Sequence, residues 1–271
     1  MRAECIHPQF SHKLRQIEQD VADVEGLLSP RDVRFLALCA AHPRVDGEIL
    51  EIGAFRGKST IVLAKAAELA GQTRVVSCDP LITLANETLE SSTSDEVYAQ
   101  VQTNFRRKGV HRLVEFHHAY SHELAQQWHR PIRMLWLDGD HREAGVKQDI
   151  ADFTPFLQDR AILLMHDVLN LWDGCSRAYI EYVLRSPHFG QAGVYGNIGW
   201  AQFRRDPRDA APYQAAKERL AAGLAPLLPF QTQRDAALEK IHGWRKLQFK
   251  FYRWRAQSHR LPPENWLRAV A

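Results

Sequence analysis

Apolar and polar positions change rhythm twice along this chain of 271 residues. Up to about residue 45 the apolar spacing is helical. Leu14, Ile17, Val21 and Val24 form one stripe. A second helix is predicted from Ser29-Pro30, where serine can cap and proline suits the first turn, through FLALCAA. Five short runs come next: EILEIGA (48–54), RVVSCDP (74–80), LVEFHHA (113–119), RMLWLDGD (133–140) and AILLMHDV (161–168). They are too short for helices and nearly continuous in Val, Ile and Leu. Between them lie stretches of helical character. One, EAGVKQDIADFTPFL, sets Val146, Ile150, Phe153 and Leu157 on a single face. This alternation predicts an α/β architecture, a doubly wound, mostly parallel sheet covered on both faces. In GQAGVYGNIGWAQFRR (190–205), Gly-Asn between two β-rich runs predicts a terminal antiparallel hairpin. The pattern is helical again from 206. The expected organisation is an N-terminal helical cap (1–45), a core (46–205) and a helical C-terminal extension (206–271).

Composition narrows the class without naming it. The N-terminal stretch MRAECIHPQFSHKLRQ has neither an apolar core nor a small-residue cleavage pattern, so it does not read as a signal peptide. The longest apolar run, LAAGLAPLLPF, is too short to span a bilayer. Cys5, Cys39, Cys78 and Cys175 lie far apart without a CxxC pair, which argues against a zinc site or a disulfide framework. A reduced, cytoplasmic setting is expected. The net charge of +3 does not imply nucleic acid, but its distribution is uneven. Residues 234–260 carry eight Lys/Arg against Asp235 and Glu239. The same segment sets Leu238, Ile241, Trp244, Leu247, Phe251 and Trp254 at spacings of three or four. Such a stripe is expected to pack on the domain or on a second subunit, making the chain a homo-oligomer. The alternative is peripheral attachment to an anionic membrane. Nucleic-acid binding is not expected, because no recognised module accompanies the charge.

The candidate chemistry begins at EIGAFRGKST (51–60), whose ending is that of a phosphate-binding P-loop. A Walker loop has four residues between its first glycine and Gly-Lys, whereas Gly53 and Gly57 bracket only Ala54, Phe55 and Arg56. The dinucleotide fingerprint GxGxxG is absent too. Glu51-x-Gly53-x-x-x-Gly57 instead joins a strand to a helix, and Asp79 ends the next strand, placed to accept hydrogen bonds from ribose hydroxyls. The alternative is that the glycines only make a tight turn and that Asp79 caps the segment after it.

These residues carry a resemblance. ILEIGAFRGKST (49–60) resembles the first motif of class I S-adenosylmethionine-dependent methyltransferases, whose fold is Rossmann-like, and CDP (78–80) resembles their ribose-binding acidic motif. LWLDGDHREAGVKQDIADFTPFLQDRAILLMHDV (135–168) is similar to a subgroup in which Asp-Gly-Asp-His closes the fourth strand and His-Asp the fifth. That subgroup includes metal-dependent O-methyltransferases of macrolide sugar hydroxyls and is related more distantly to catechol O-methyltransferase. The resemblance covers roughly residues 46–204. It implies that Gly53, Ala54, Phe55 and Gly57 face the methionine part of the cofactor, with Glu51 near its amino group and Ser59 near its carboxylate. Asp79 would hold the ribose. Tyr120 and Ser121 occupy the adenine side, where Tyr120 departs from the family's Gly-Asp-Ser-like run. Asp138 would also border the cofactor.

The same resemblance implies O-methyl transfer to a hydroxyl of a saccharide or glycosylated metabolite. The alternatives are a catechol-like acceptor or a non-catalytic cofactor-binding protein. A hydroxyl is a poor nucleophile until a cation lowers its pKa and a base takes its proton. Asp138 and Asp167 are therefore expected to hold a divalent metal, with His166 as third ligand. Mg²⁺ is the first choice for oxygen ligands, and an imidazole admits Mn²⁺ or Fe²⁺. His141, three residues past Asp138, is the expected base, with Asp140 orienting it or a water.

Overall fold

The computed structural model describes residues 6–71, 74–82, 93–170, 173–230, 243–256, 266–268 and 270. Two helices come first, α1 (Phe10–Asp20) and α2 (Pro30–Ala41). Ser29 and Asp32 form a reciprocal capping box at the start of α2, with Pro30 in its first turn. The alternating segment then reads β1 (Glu48–Ile52), α3 (Lys58–Ala67), β2 (Val75–Cys78), α4 (Ser94–Arg107), β3 (Val114–His117), α5 (Ser121–Gln127), β4 (Ile132–Leu137), α6 (Glu143–Phe153) and β5 (Leu157–Met165). Helix α7 (Asp173–Ala178) runs on into a π-helical turn (Tyr179–Leu184). The hairpin of β6 (Phe189–Tyr195) and β7 (Ile198–Phe203) turns at Gly196-Asn197, with Gly196 at φ +59°.

The sheet runs β3-β2-β1-β4-β5-β7-β6. Strands β1 to β5 are parallel, and β7 enters antiparallel between β5 and β6. The chain steps outward from β1 to β3, then returns across β1 to β4. That reversal leaves a crevice between the carboxyl ends of β1 and β4. Apolar residues cover both faces. Leu50, Leu135 and Leu163 point to one core, and Ile49, Trp136 and Leu164 to the other, the two-sided burial that continuous apolar strands require.

Leu157, expected on the face of α6, opens β5 instead. Pro155 lacks an amide hydrogen and the helix ends at Phe153, so a 3₁₀ turn (Thr154–Phe156) carries the chain into the strand. β5 thus begins four residues early and takes up the extra length as a register shift opposite Ile132–Met134, with Arg160 at φ +71°.

The C-terminal extension comprises α8 (Pro207–Ala210), α9 (Gln214–Leu224), a 3₁₀ segment (Ala225–Phe230) and α10 (Gly243–Ala256). Beyond them, Trp266 and Leu267 are buried beside Phe35 and Trp200, and Gln202 Nε2 donates to Val270 O at 2.8 Å. The expected apolar stripe of the basic segment does not pack on the domain. Trp244, Leu247, Phe251 and Trp254 are exposed, while Phe249, Tyr252 and Ala256 of α10 pack on the core, both rings meeting Phe230. Leu238 and Ile241 lie outside the described residues. Among the described residues no helix is long and apolar enough to cross a membrane, and Cys39, Cys78 and Cys175 are buried free thiols.

Candidate active site

One row of lateral hydrogen bonds brings the candidate residues to a common edge. Asp79 N donates to His117 O at 3.1 Å, Gly53 N to Cys78 O at 2.9 Å, Asp138 N to Ile52 O at 2.8 Å and His166 N to Leu137 O at 2.9 Å. Each is the first residue past its strand, so the parallel ladder aligns Asp79, Gly53, Asp138 and His166 side by side. Gly53 stands where β1 and β4 come closest. A Cβ there would lie 2.3 Å from the carbonyl oxygen of Asp138, and its φ of +91° suits glycine alone.

The glycine loop closes on Asp79. Asp79 Oδ2 accepts from Ala54 N and Phe55 N, each at 2.7 Å, and Oδ1 accepts from Leu81 N at 2.6 Å. This carboxylate therefore holds the loop and the turn after β2 at the same time. Phe55 takes φ +49° and Gly57, at φ +85°, caps α3. Ser59 is buried in the first turn of α3. On the outer side of the loop, Arg56 pairs with Glu25 at 3.0 Å, which places the N-terminal segment next to it.

Glu51 is the buried charge behind the loop. Its Oε2 accepts from Thr60 Oγ1 and from Ser77 Oγ at 2.6 Å, while Oε1 has no hydrogen-bond partner among the described residues. Burial pushes its carboxyl up to about 7, against the hydroxyls of Ser59, Ser77 and Thr60. An unsatisfied buried carboxylate oxygen is costly, and a cationic ligand would relieve it.

Across the crevice the acidic strand ends meet two histidines. Asp138, His141 and Asp167 offer ligand atoms that all lie within 4.8 Å of one another. His141 Nε2 is 3.0 Å from Asp167 Oδ2 and 4.0 Å from Asp138 Oδ1. Asp167 sits at φ +58°, an uncommon conformation that turns its carboxylate back over the strand end. Asn170 Nδ2 donates to its Oδ1 at 3.1 Å, and Asn197 Nδ2 donates there as well. Burial alone would raise the Asp167 carboxyl, but the hydrogen bond from His141 and the charges of His166 and His141 hold it at about 2.

His166, expected as the third ligand, lies beside both carboxylates and also reaches the cap of α2. Nδ1 lies 3.0 Å from Asp138 Oδ1 and 3.5 Å from Asp167 Oδ1, and Nε2 faces Asp32 Oδ2 at 3.7 Å. Burial opposes its charge, yet three carboxylates around one ring raise its pKa well above the usual range. It therefore bridges the acidic strand ends to the cap of α2. It is His141 that joins Asp138 and Asp167 in the cluster. Asp140 is turned away, its carboxylate accepting from Arg142 N at 2.8 Å and pairing with the Arg142 guanidinium.

Tyr120, expected on the adenine side, is exposed at the start of α5, and its N donates to Glu123 Oε2 at 2.9 Å. Ser121 is the first residue of α5. His118 stacks on Tyr98 at 5.3 Å and lies 2.7 Å from Ser94 Oγ. The polar stretch after Pro80 falls mostly outside the described residues.

Two residues of the site carry no functional signal in the sequence. Asp32 is a helix cap by its position after Ser-Pro, yet its carboxylate also faces His166, and its Oδ1 accepts from Asn197 N at 3.4 Å. Asn197 is a turn residue whose side chain reaches Asp167 and accepts from Leu169 N at 3.1 Å. Cavity size does not mark the site. A cavity of about 700 Å³ opens among α6, the π-helical turn and the amino end of β5, beside Leu157, Phe189 and Phe203, at the opposite edge of the sheet.

A glycine loop and acidic strand ends gathered at the switch point of such a sheet define a class I methyltransferase fold. Residues 50–168 match the family model of the methyltransferase domain. Solved structures share the fold. An O-methyltransferase from Bacillus cereus in complex with SAH is 20% identical with a TM-score of 0.51, over 70% of this chain and 90% of that one. The O-methyltransferase NovP is 13% identical with a TM-score of 0.58, over 72% and 98%. TomG from Streptomyces achromogenes, involved in tomaymycin synthesis and in complex with SAM, is 18% identical with a TM-score of 0.51, over 74% and 91%. Residues 50–168 are thus similar to the methyltransferase domain, and the chain shares the fold of these solved structures.

Proposed function

We propose that this enzyme methylates a hydroxyl oxygen of a saccharide or glycosylated metabolite, assisted by a divalent cation. The observation that carries the reading is the convergence of Asp138, His141 and Asp167 across the crevice from the glycine loop. Two carboxylates and an imidazole suit activation of an oxygen nucleophile. Three of the similar structures are named as O-methyltransferases, which supports oxygen as the acceptor atom. The saccharide rests on the Asp-Gly-Asp-His and His-Asp strand endings, and a catechol-like acceptor is the second reading.

The residues fit the groups the reading needs. The unpartnered Oε1 of Glu51 suits the cofactor's ammonium, and the amide-rich loop from Gly53 to Gly57, opening onto the N-terminus of α3, suits its carboxylate. S-adenosylmethionine supplies a methyl group on a positively charged sulfur. Asp138 and Asp167 are the residues that would hold the cation, whose chemistry is to lower the pKa of a nearby hydroxyl. His141 takes the hydroxyl proton at a ring nitrogen, and Asp167 stabilises the imidazolium that forms. His166 Nδ1, 3.0 Å from Asp138 Oδ1, keeps that carboxylate oriented.

Substitution of His141 by Ala tests this. Turnover on a glycoside library falls by about 10²–10⁴-fold, the range for a lost general base, with S-adenosylmethionine affinity retained. Chelation followed by addition of Mg²⁺, Mn²⁺ or Fe²⁺ assigns the ion. Full turnover in the variant, or turnover of catechols and of no glycoside, sinks the reading.

A further inference from the structure

Helix α10 contributes no residue to the catalytic cluster and has one largely exposed face. Phe249, Tyr252 and Ala256 pack inward on the 3₁₀ segment and α9, and Arg245 lies over the Phe230 ring at 5.7 Å. Trp244, Leu247, Phe251 and Trp254 point outward, with 73%, 58%, 52% and 59% of their surfaces exposed. At about 100° per residue these four fall within one arc of about 80°, on the side opposite the packed face. Phe251 and Trp254 stack on each other at 6.4 Å, so the stripe is continuous along the helix. Over about 1.5 Å per residue it extends about 15 Å.

The charges around the stripe identify what it meets. The 14 residues of α10 include Arg245, Lys246, Lys250, Arg253 and Arg255, and no acidic residue. On the same wheel Lys246 and Lys250 flank the aromatic arc on one side and Arg255 on the other. A second copy joined two-fold through this face would set Lys246, Lys250 and Arg255 against their own counterparts with no acidic residue of α10 to offset them, which is unfavourable. A duplex nucleic acid would satisfy the cations but leave a broad aromatic and leucine ridge facing phosphates. An anionic lipid surface satisfies both parts. Tryptophans and Leu247 enter the boundary between headgroups and acyl chains, and the lysines and arginines stay among the phosphates.

We propose that α10 docks this methyltransferase on anionic membranes, lying flat with Trp244, Leu247, Phe251 and Trp254 inserted. The anchor is independent of the acceptor assignment, because no residue of the catalytic cluster belongs to α10.

The experiment is co-sedimentation of the full chain with phosphatidylcholine vesicles, alone and mixed with phosphatidylglycerol. Binding is expected only to the mixed vesicles and weakens as salt is raised. Trp244→Ala with Trp254→Ala is expected to weaken it about tenfold or more. Lys246→Gln with Lys250→Gln costs about fivefold per lysine. Both double variants keep the wild-type unfolding temperature and S-adenosylmethionine affinity, because all four side chains are exposed. The proposal is overturned by absence of vesicle binding, by equal binding of the variants, or by a preference for RNA over vesicles. A dimer that dissolves on loss of the two tryptophans overturns it as well.

Discussion

Substitution of Glu51 by Gln separates the cost of a buried carboxyl from its use. Glu51 is fully buried, and its carboxyl rises from an ordinary 4.5 to about 7. A shift of that size corresponds to about 3 kcal/mol. The folded protein keeps a proton that the unfolded chain gives up between these values. The associated stability is therefore full below pH 4.5 and is lost as pH rises to 7. Glutamine is close in shape, can accept from Thr60 and Ser77 through its carbonyl oxygen, and does not titrate. Urea unfolding of both proteins without cofactor, at pH 5 and pH 8, is the assay. The variant gains on the wild type by up to about 3 kcal/mol between the two conditions. Cofactor binding moves the other way. If Glu51 meets the ammonium, the ionised form is selected, wild-type affinity rises through pH 7, and binding below that pH releases a proton. The variant loses a charge-assisted hydrogen bond, about 1.5–3 kcal/mol, or roughly ten- to a hundredfold in affinity. An unchanged stability difference at both pH values refutes the burial argument. Unchanged affinity at pH 8 refutes the ammonium assignment.

Two glycine substitutions probe the backbone that sets the site. Gly53→Ala puts a Cβ 2.3 Å from Asp138 O and 2.4 Å from its carbonyl carbon, at a positive φ. Strain of at least about 1 kcal/mol is expected, seen as a lowered unfolding temperature together with weaker S-adenosylmethionine binding in calorimetry. Wild-type values for both would mean that the close approach of β1 and β4 is not needed. Gly174→Ala places a Cβ 2.1 Å from His141 O and 2.3 Å from Glu143 N, so α7 has to push the His141 loop aside. Turnover is expected to fall by up to about a hundredfold with cofactor affinity retained, and full turnover would free His141 from that positional demand.

Much of the core is legible in the amino-acid order. Each of the five runs falls on a strand of the parallel array, and Gly-Asn turns the hairpin, because continuous apolar runs and a two-residue turn are local signals. The chemistry-bearing residues are legible at strand ends for the same reason. A motif just past a buried strand must lie at its carboxyl edge, whatever the rest of the chain does. The end of α6 is not legible from periodicity, which continues to Leu157 while Pro155 breaks the hydrogen bonding.

What the sequence determined by itself was therefore the sheet, its carboxyl edge, and the set of glycines, carboxylates and histidines along that edge. Tertiary structure decided which of those groups face one another. Asp32 comes from the N-terminal cap and Asn197 from the hairpin. Asp32 faces His166, Asn197 donates to Asp167, and His141 lies beside Asp138 and Asp167. It also decided which side of α10 packs, since Phe249 and Tyr252 meet Phe230 and the more regular stripe stays outside. The physical reason is common to both. Period and turn chemistry act between neighbours in sequence. The direction of an imidazole or the covered face of a helix is set by burial and charge delivered from distant segments, which meet only in the folded chain.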